Sequence, residues 1–438
     1  MRLQDRVHKN DFCASYYTDH RRDMDCFDRL EGSVDVDVAI IGGGFTGVSS
    51  ALQLAEKGYK VALLEQNQIG WGASGRNGGQ LIGGYGQEMA DLEKIENTFG
   101  KDHVQAVFQM GLECVDIVKS AIETHQIDCD LKWGYLDAAM KQSELDALKH
   151  AYAAMQQQGY PHAVTVYDTK EDLSKVICSD QYIGGVATDG WGHLQPLDLV
   201  RGEARAAQKL GACLYEWAEV TEISAKDRVQ LSTRQGNVTA DQCIIACNAY
   251  IGPLQKDLSS RVLPAGSYII ATERLDADAI EKLMPGDHAV CDQRWALDYF
   301  RMSADGRLLF GGLANYSGRH PSSITKALMP NMLKVFPSLK GVKIDYEWGG
   351  NIGIGLNRIP QVGQIAPQIY YAQAYSGHGV APSHMSARLL SEAISGNRDR
   401  FDIMAGVDHP KFPGGRFFRQ PILAAGMSFY KLRDMIGL

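Results

Sequence analysis

Residues 38–47 read VAIIGGGFTG, a short apolar run that ends in Gly42-x-Gly44-x-x-Gly47. A second apolar run, YKVALLE, follows and places Glu65 18 residues after Gly47. Val36, Val38, Ile40 and Ile41 suit a strand buried on both faces. In such a unit Gly42 permits the tight turn, Gly44 lets backbone approach a pyrophosphate, and Gly47 allows the helix to pack on the sheet. A helix over Thr46–Lys57 then points its N–H groups and positive dipole end at phosphates. An acid about 20 residues on accepts hydrogen bonds from a ribose and disfavours a 2′-phosphate. The unit therefore predicts a βαβ dinucleotide fold, and by itself leaves FAD and NAD open.

The rest of the chain narrows the class by exclusion. It has 438 residues, room for two or three lobes, and a net charge of −8 without a long basic run. Nucleic acid is thereby disfavoured as a partner. No apolar stretch reaches the ~20 residues of a membrane span, and the polar N-terminus lacks a signal-peptide core. The nine cysteines are scattered, without a CxxC pair. That usage points to a reducing cytoplasm and to no metal centre. Cys243 and Cys247 are four apart, but CIIAC reads as a buried strand.

Patterning predicts a polar arm over 1–33 and mostly helical structure over 88–159. Short strands follow a helix that ends at Lys209, and a YFRMS–ADG–RLLFGG hairpin lies within 262–318. A helix spans Val380 to Ile394 after Tyr-Ser-Gly-His-Gly. The expected fold is α/β: a Rossmann-like FAD-binding domain over 34–95, 160–255 and 345–402. It is interleaved with a sheet-plus-helices (α+β) substrate domain over 96–159 and 256–344, followed by a tail from 403.

Ile69–Gln80, IGWGASGRNGGQ, is more specific than the glycine fingerprint. With Tyr375-Ser-Gly-His-Gly-Val380 it resembles the signature of the D-amino-acid-oxidase/glycine-oxidase superfamily of FAD amine oxidoreductases. SYYTDH, HPKFPGGR and LDYFRMSADGRLLFGG extend the resemblance nearly end to end, toward the gamma-glutamylputrescine oxidases. The resemblance implies that Gly42, Gly44, Phe45, Thr46 and Gly47 hold the pyrophosphate, and Glu65 with Gln66 the adenosine ribose. It places Ser74, Gly75, Arg76, Asn77, Gly78, Gly79 and Gln80 beside the flavin, and the Val220 backbone near the adenine. Gly377, His378, Gly379 and Val380 would face the flavin's pyrimidine end. There a helix N-terminus favours the negative charge that gathers on reduction.

Sarcosine-oxidase relatives tether flavin to a cysteine in the C-terminal part of the chain. Here the last cysteine is Cys291, so noncovalent FAD is expected. Many relatives that oxidise α-amino acids or sarcosine carry Trp-x-Gly-x-Arg-Pro, with the arginine on the substrate carboxylate. Here the stretch is Trp348-Gly-Gly-Asn-Ile352-Gly, so a small-molecule amine without a carboxylate beside its reacting carbon is expected. Tyr299, Trp348 and Tyr375 are candidate amine-facing rings. Arg301 is a candidate partner for a remote carboxylate, and His378 a candidate for positioning flavin or water. The implied reaction gives imine, then aldehyde and ammonia, with molecular oxygen as electron acceptor. Alternatives are another amine, a dehydrogenase that passes electrons to a carrier, and a flavoprotein with a binding role.

Overall fold

The computed structural model describes residues 12–84, 92–294, 297–315 and 321–413. Among these, the strands form two sheets of eight and nine members. The first is built on Gly32–Ile41, whose residues from Val36 on are almost all buried. This strand pairs in parallel with Val61–Leu64 on one side and Gly236–Ile245 on the other. Cys213–Tyr215 extends the parallel sheet past Val61–Leu64, and Ile369–Gln373 extends it past Gly236–Ile245. Such a sheet is covered on both faces, which is why its strands read as unbroken apolar runs. The helices Phe45–Glu56, Pro196–Lys209 and Val380–Ile394 pack beside it.

The second sheet runs Ile344–Ile354, Leu263–Thr272, Leu308–Asn315, Tyr299–Met302, Ala289–Asp292, Lys132–Ala139, Gly184–His193 and Gln80–Leu81, with Val164–Tyr167 beside Gly184–His193. Its outer face packs on a separate apolar cluster that includes Phe300, Phe310 and Phe336. The hairpin over YFRMS and RLLFGG is present, with the Ser303 amide donating to the Arg307 carbonyl across the turn.

The sequence reading differs from this architecture in four places. Lys132–Ala139 is a strand within a region expected to be helical; Gly134 at φ +123 and a register shift there break the alternation that would have marked it. Residues 80–81, 164–193 and 345–354 are expected in the cofactor domain, but their strands belong to the second sheet. The chain crosses between the sheets within the segments expected to form the cofactor domain. The polar arm is tied down where it is described: Tyr16 and Tyr17 are buried, and Tyr17 sits edge-on to Trp348 with centroids 5.3 Å apart. The helix Asp399–Ala405 runs past the expected start of the tail. Residues 1–11 of the arm and the tail beyond 413 lie outside the described residues.

Candidate active site and cofactor cleft

A cavity of about 1560 Å³ is lined from both sheets. Its size exceeds the ~300–1,000 Å³ of an ordinary small-molecule pocket, leaving space for a dinucleotide and a second ligand. At one end the first strand stops and the chain turns through Gly42 at φ +113 into the Phe45–Glu56 helix. A Cβ at Gly42 would stand 2.7 Å from the Ala246 carbonyl oxygen, and one at Gly47 1.9 Å from the Gly42 carbonyl oxygen. Glycine at these positions is what lets turn, strand and helix meet. No side chain caps this helix from Gly44, although the Ser74 hydroxyl accepts from the Phe45 amide at 2.8 Å.

Glu65 lines the cleft at the end of the neighbouring strand. Its carboxylate accepts the Gly43 amide at 2.7 Å and the Asn67 amide at 2.8 Å. Burial pushes its carboxyl above the usual range, against the pull of those amides. Across the cleft, Ala374, Ser376 and Gly377 all take positive φ before the Val380–Ile394 helix, which begins without a side-chain cap. Two helix N-termini thus open into one cavity, a donor arrangement suited to a ligand with separated anionic groups.

Gly42, Gly44, Phe45, Thr46, Glu65, Gln66 and Val220 line the first part of this cavity. Ser74, Arg76, Asn77, Gly78 and Gln80 line its middle, opposite Gly377, His378, Gly379 and Val380. Arg76 stacks over Trp71 at 4.3 Å and donates to the Trp71 and Gly349 carbonyls. Its Nη2 and the Gln80 Nε2 are buried without a partner among the described residues, so the wall offers donors that a ligand could satisfy. Gly47, Gly75 and Gly79 stand behind the wall. A Cβ at Gly75 would be 2.2 Å from the Gly70 carbonyl oxygen, and at Gly79 2.1 Å from that of Leu194.

The proposed chemistry-facing residues separate into two groups. Tyr299, Tyr375 and His378 line the cavity. The Tyr299 hydroxyl lies 3.2 Å from the Ser267 hydroxyl, and its ring fits because Gly311 has no side chain; a Cβ there would stand 2.2 Å from the ring. The Tyr375 hydroxyl bonds Thr46 Oγ1 at 2.7 Å, and burial pushes its phenol up to about 12. His378 Nε2 lies 3.1 Å from the Gly83 carbonyl, and burial holds the ring's pKa below its ordinary value.

Trp348 and Arg301 do not reach the cavity, and their expected roles are corrected. Trp348 is buried with its Nε1–H donating to the Arg76 carbonyl at 3.0 Å. The Arg301 guanidinium is 1% exposed and donates to the carbonyls of Gly78, Leu194 and Met302, at 2.7, 2.8 and 3.1 Å. An arginine already holding three carbonyls has no donor face left for a substrate carboxylate. It instead fixes the loop beneath Gly78.

Sequence reasoning missed the far end of the cavity. There Asp137 accepts from the Tyr135 hydroxyl at 3.1 Å, the Tyr152 hydroxyl at 2.8 Å and the Gln293 amide at 3.0 Å. Trp191 packs edge-on to Tyr135 and tilted against Tyr152. These residues come from two strands, a helix and a loop, and no local motif links them.

A fold of this kind, with two helix N-termini and an acid-capped βαβ unit around one long cleft, is built to hold a dinucleotide cofactor. The family model for FAD dependent oxidoreductases matches residues 37–393, and the chain belongs to that family. It is 41% identical to the gamma-glutamylputrescine oxidoreductase of Escherichia coli K12, over 97% of this chain and 99% of that one. It is 38% identical to a probable oxidoreductase of Haemophilus influenzae, over 96% of this chain and 97% of the relative. The crystal structure of glycine oxidase from Geobacillus kaustophilus superposes with a TM-score of 0.67 at 22% identity, covering 83% of this chain and 95% of that one. No described helix is long and apolar enough to cross a membrane.

Proposed function

We propose that the enzyme oxidises the terminal primary amine of gamma-glutamylputrescine. The observation that carries this reading is 41% identity across essentially the whole of a gamma-glutamylputrescine oxidoreductase. The cavity supports it. Ile352 lines the wall close to Gly377, where a Cβ would stand 3.5 Å from its Cδ1. An apolar residue there suits a butyl amine better than an amine carrying a carboxylate on the reacting carbon.

The residues fit FAD in their donor chemistry. Glu65 has acceptor capacity left for ribose hydroxyls. Gly44 and Thr46 would offer backbone and helix dipole to the pyrophosphate, beside the turn shaped by Gly42 and Phe45, whose amides are held by Leu64 and Ser74, and Gly47 lets the helix sit close enough for this. Gln66 and Val220 would border the adenosine, and the Ser74–Gln80 stretch would border the flavin ring. Gly377, His378, Gly379 and Val380 would present a helix N-terminus to the flavin. Bound FAD supplies the two-electron acceptor for a hydride from the carbon next to the amine nitrogen. The resulting imine hydrolyses to an aldehyde and ammonia, and molecular oxygen is the final acceptor, yielding hydrogen peroxide. Tyr299 walls the reacting end and excludes water, Tyr375 is turned toward Thr46 at the phosphate end, and the low-dielectric site favours the neutral amine that must react. FAD is held noncovalently: burial pushes the cleft-lining thiols of Cys247 and Cys291 up, away from the nucleophilic thiolate. Nine free cysteines suit a cytoplasmic enzyme.

The test is an anaerobic visible spectrum of the holoenzyme before and after gamma-glutamylputrescine. Bleaching within seconds, and recovery of colour with peroxide release in air, is the expected result. A flavin that stays oxidised with this compound but bleaches with another amine would overturn the substrate. Recovery of colour only with an added dye would overturn oxygen as acceptor.

A further inference from the structure

The far end of the cavity holds a carboxylate with no counter-charge among the described residues. The groups that act on Asp137 are neutral donors, Tyr152, Tyr135 and Gln293, and burial pushes its carboxyl up to about 6. The nearby Arg294 is engaged elsewhere, paired with Asp292 and Asp298. A carboxylate taken out of water without a cation is costly. Here it lies on a cavity wall beside the rings of Tyr135, Tyr152 and Trp191, a setting that attracts an alkylammonium both by charge and by ring face.

The strand register fixes how far this carboxylate is from the reacting end. Asp137 pairs across the sheet with Cys291, and Cys291 pairs with Tyr299, so the three project to one face. Tyr299 packs against the signature loop, since a Cβ at Gly78 would be 2.6 Å from its ring. Asp137 is then two strand spacings away, about 10 Å. In gamma-glutamylputrescine nine bonds separate the reacting carbon from the α-ammonium nitrogen, about 11 Å when extended at backbone-like rise.

The geometry points to Asp137 as the specificity-determining residue that holds the substrate's remote ammonium group, seated among Tyr135, Tyr152 and Trp191 while the opposite amine end lies beside Tyr299. This rests on the substrate reading above and deepens it: the enzyme measures a molecule with an amine at one end and an α-ammonium group, beside its α-carboxylate, at the other. The anchor is noncovalent and leaves the redox step unchanged.

The experiment compares gamma-glutamylputrescine with N-glutarylputrescine, which differs only in lacking the α-ammonium group, on the holoenzyme and on Asp137→Asn. One charge-assisted hydrogen bond predicts a wild-type preference of roughly 10- to 100-fold in kcat/KM for the ammonium-bearing compound. In Asp137→Asn the preference should fall to within about threefold through a higher KM, with flavin content and kcat on N-glutarylputrescine retained, and Asp137→Glu should restore part of it. A preference unchanged in Asp137→Asn would overturn the assignment. So would an equal loss on both compounds, which marks a structural role. If the wild type turns over neither compound, the substrate reading fails separately. The anchor is then read by calorimetry with 1,8-diaminooctane and octylamine. A diamine preference lost in Asp137→Asn sustains it, and equal affinities refute it.

Discussion

Gly47→Ala is the sharpest test of how the cleft is built. The added Cβ would stand 1.9 Å from the Gly42 carbonyl oxygen and 3.3 Å from Ile40 Cγ2. Contact distances below 3.0 Å are essentially never seen for a real Cβ, so helix and turn must separate by at least about 1 Å. Neither partner yields easily. The Gly42 amide is held by the Leu64 carbonyl at 2.9 Å, and the helix is packed against Val380–Ile394 and Pro196–Lys209. Overpacking of this kind costs about 1–3 kcal/mol of stability. The effect on cofactor is larger, because a shift of that size takes amide donors out of hydrogen-bond range of a phosphate. Losing two charge-assisted bonds at about 1.5–3 kcal/mol each weakens FAD binding by roughly 10²–10⁴-fold. Calorimetric titration of deflavinated protein with FAD reads the affinity, and thermal melting reads the stability. A Gly47→Ala protein that binds FAD within about threefold of wild type, with an unchanged melting point, would refute the close-packing argument.

Two further outcomes are expected. Arg301→Met should destabilise the fold by on the order of 3 kcal/mol in urea unfolding, because three carbonyls lose their donor, and should leave the preference between the two acyl-putrescines intact. A loss of that preference at unchanged stability would return Arg301 to the substrate site. Burial raises Asp305, but Ser303, Tyr16, Arg307 and Arg274 outweigh it and hold its carboxyl down to about 2. A carboxyl depressed in the native state stabilises fully above its unfolded value near 4, and that contribution is lost as pH falls toward 2. Asp305→Asn should therefore cost on the order of 1 kcal/mol at about pH 5, after solvent screening, and less at about pH 3. A deficit that does not shrink with acid would contradict this pairing.

Much of the cofactor end was legible in the chain because its determinants are local. Gly42, Gly44 and Gly47 act within one turn, Glu65 follows on the next strand, and Ser74–Gln80 and Tyr375–Val380 are short contiguous signatures. The apolar runs VAII and VALL are periodic enough to mark doubly covered strands. Trp348 and Arg301 misled for the opposite reason: residue type advertises chemistry, but only packing decides which face of a strand it occupies. Arg301 alternates with Phe300 and Met302 on a four-residue strand, and its guanidinium is spent on backbone carbonyls brought from more than 100 positions away in the chain.

The sequence by itself determined the βαβ unit, the dinucleotide class of cofactor and, through its signatures, the flavin oxidoreductase family. Tertiary structure alone decided the cavity wall around Asp137. Asp137, Tyr152, Trp191, Gln293 and Tyr299 are separated by up to 162 positions in the chain and converge only when Lys132–Ala139 lies beside Ala289–Asp292. No periodicity encodes that pairing, because strand partners distant in sequence are selected by the burial of whole faces and not by any residue's neighbours along the chain.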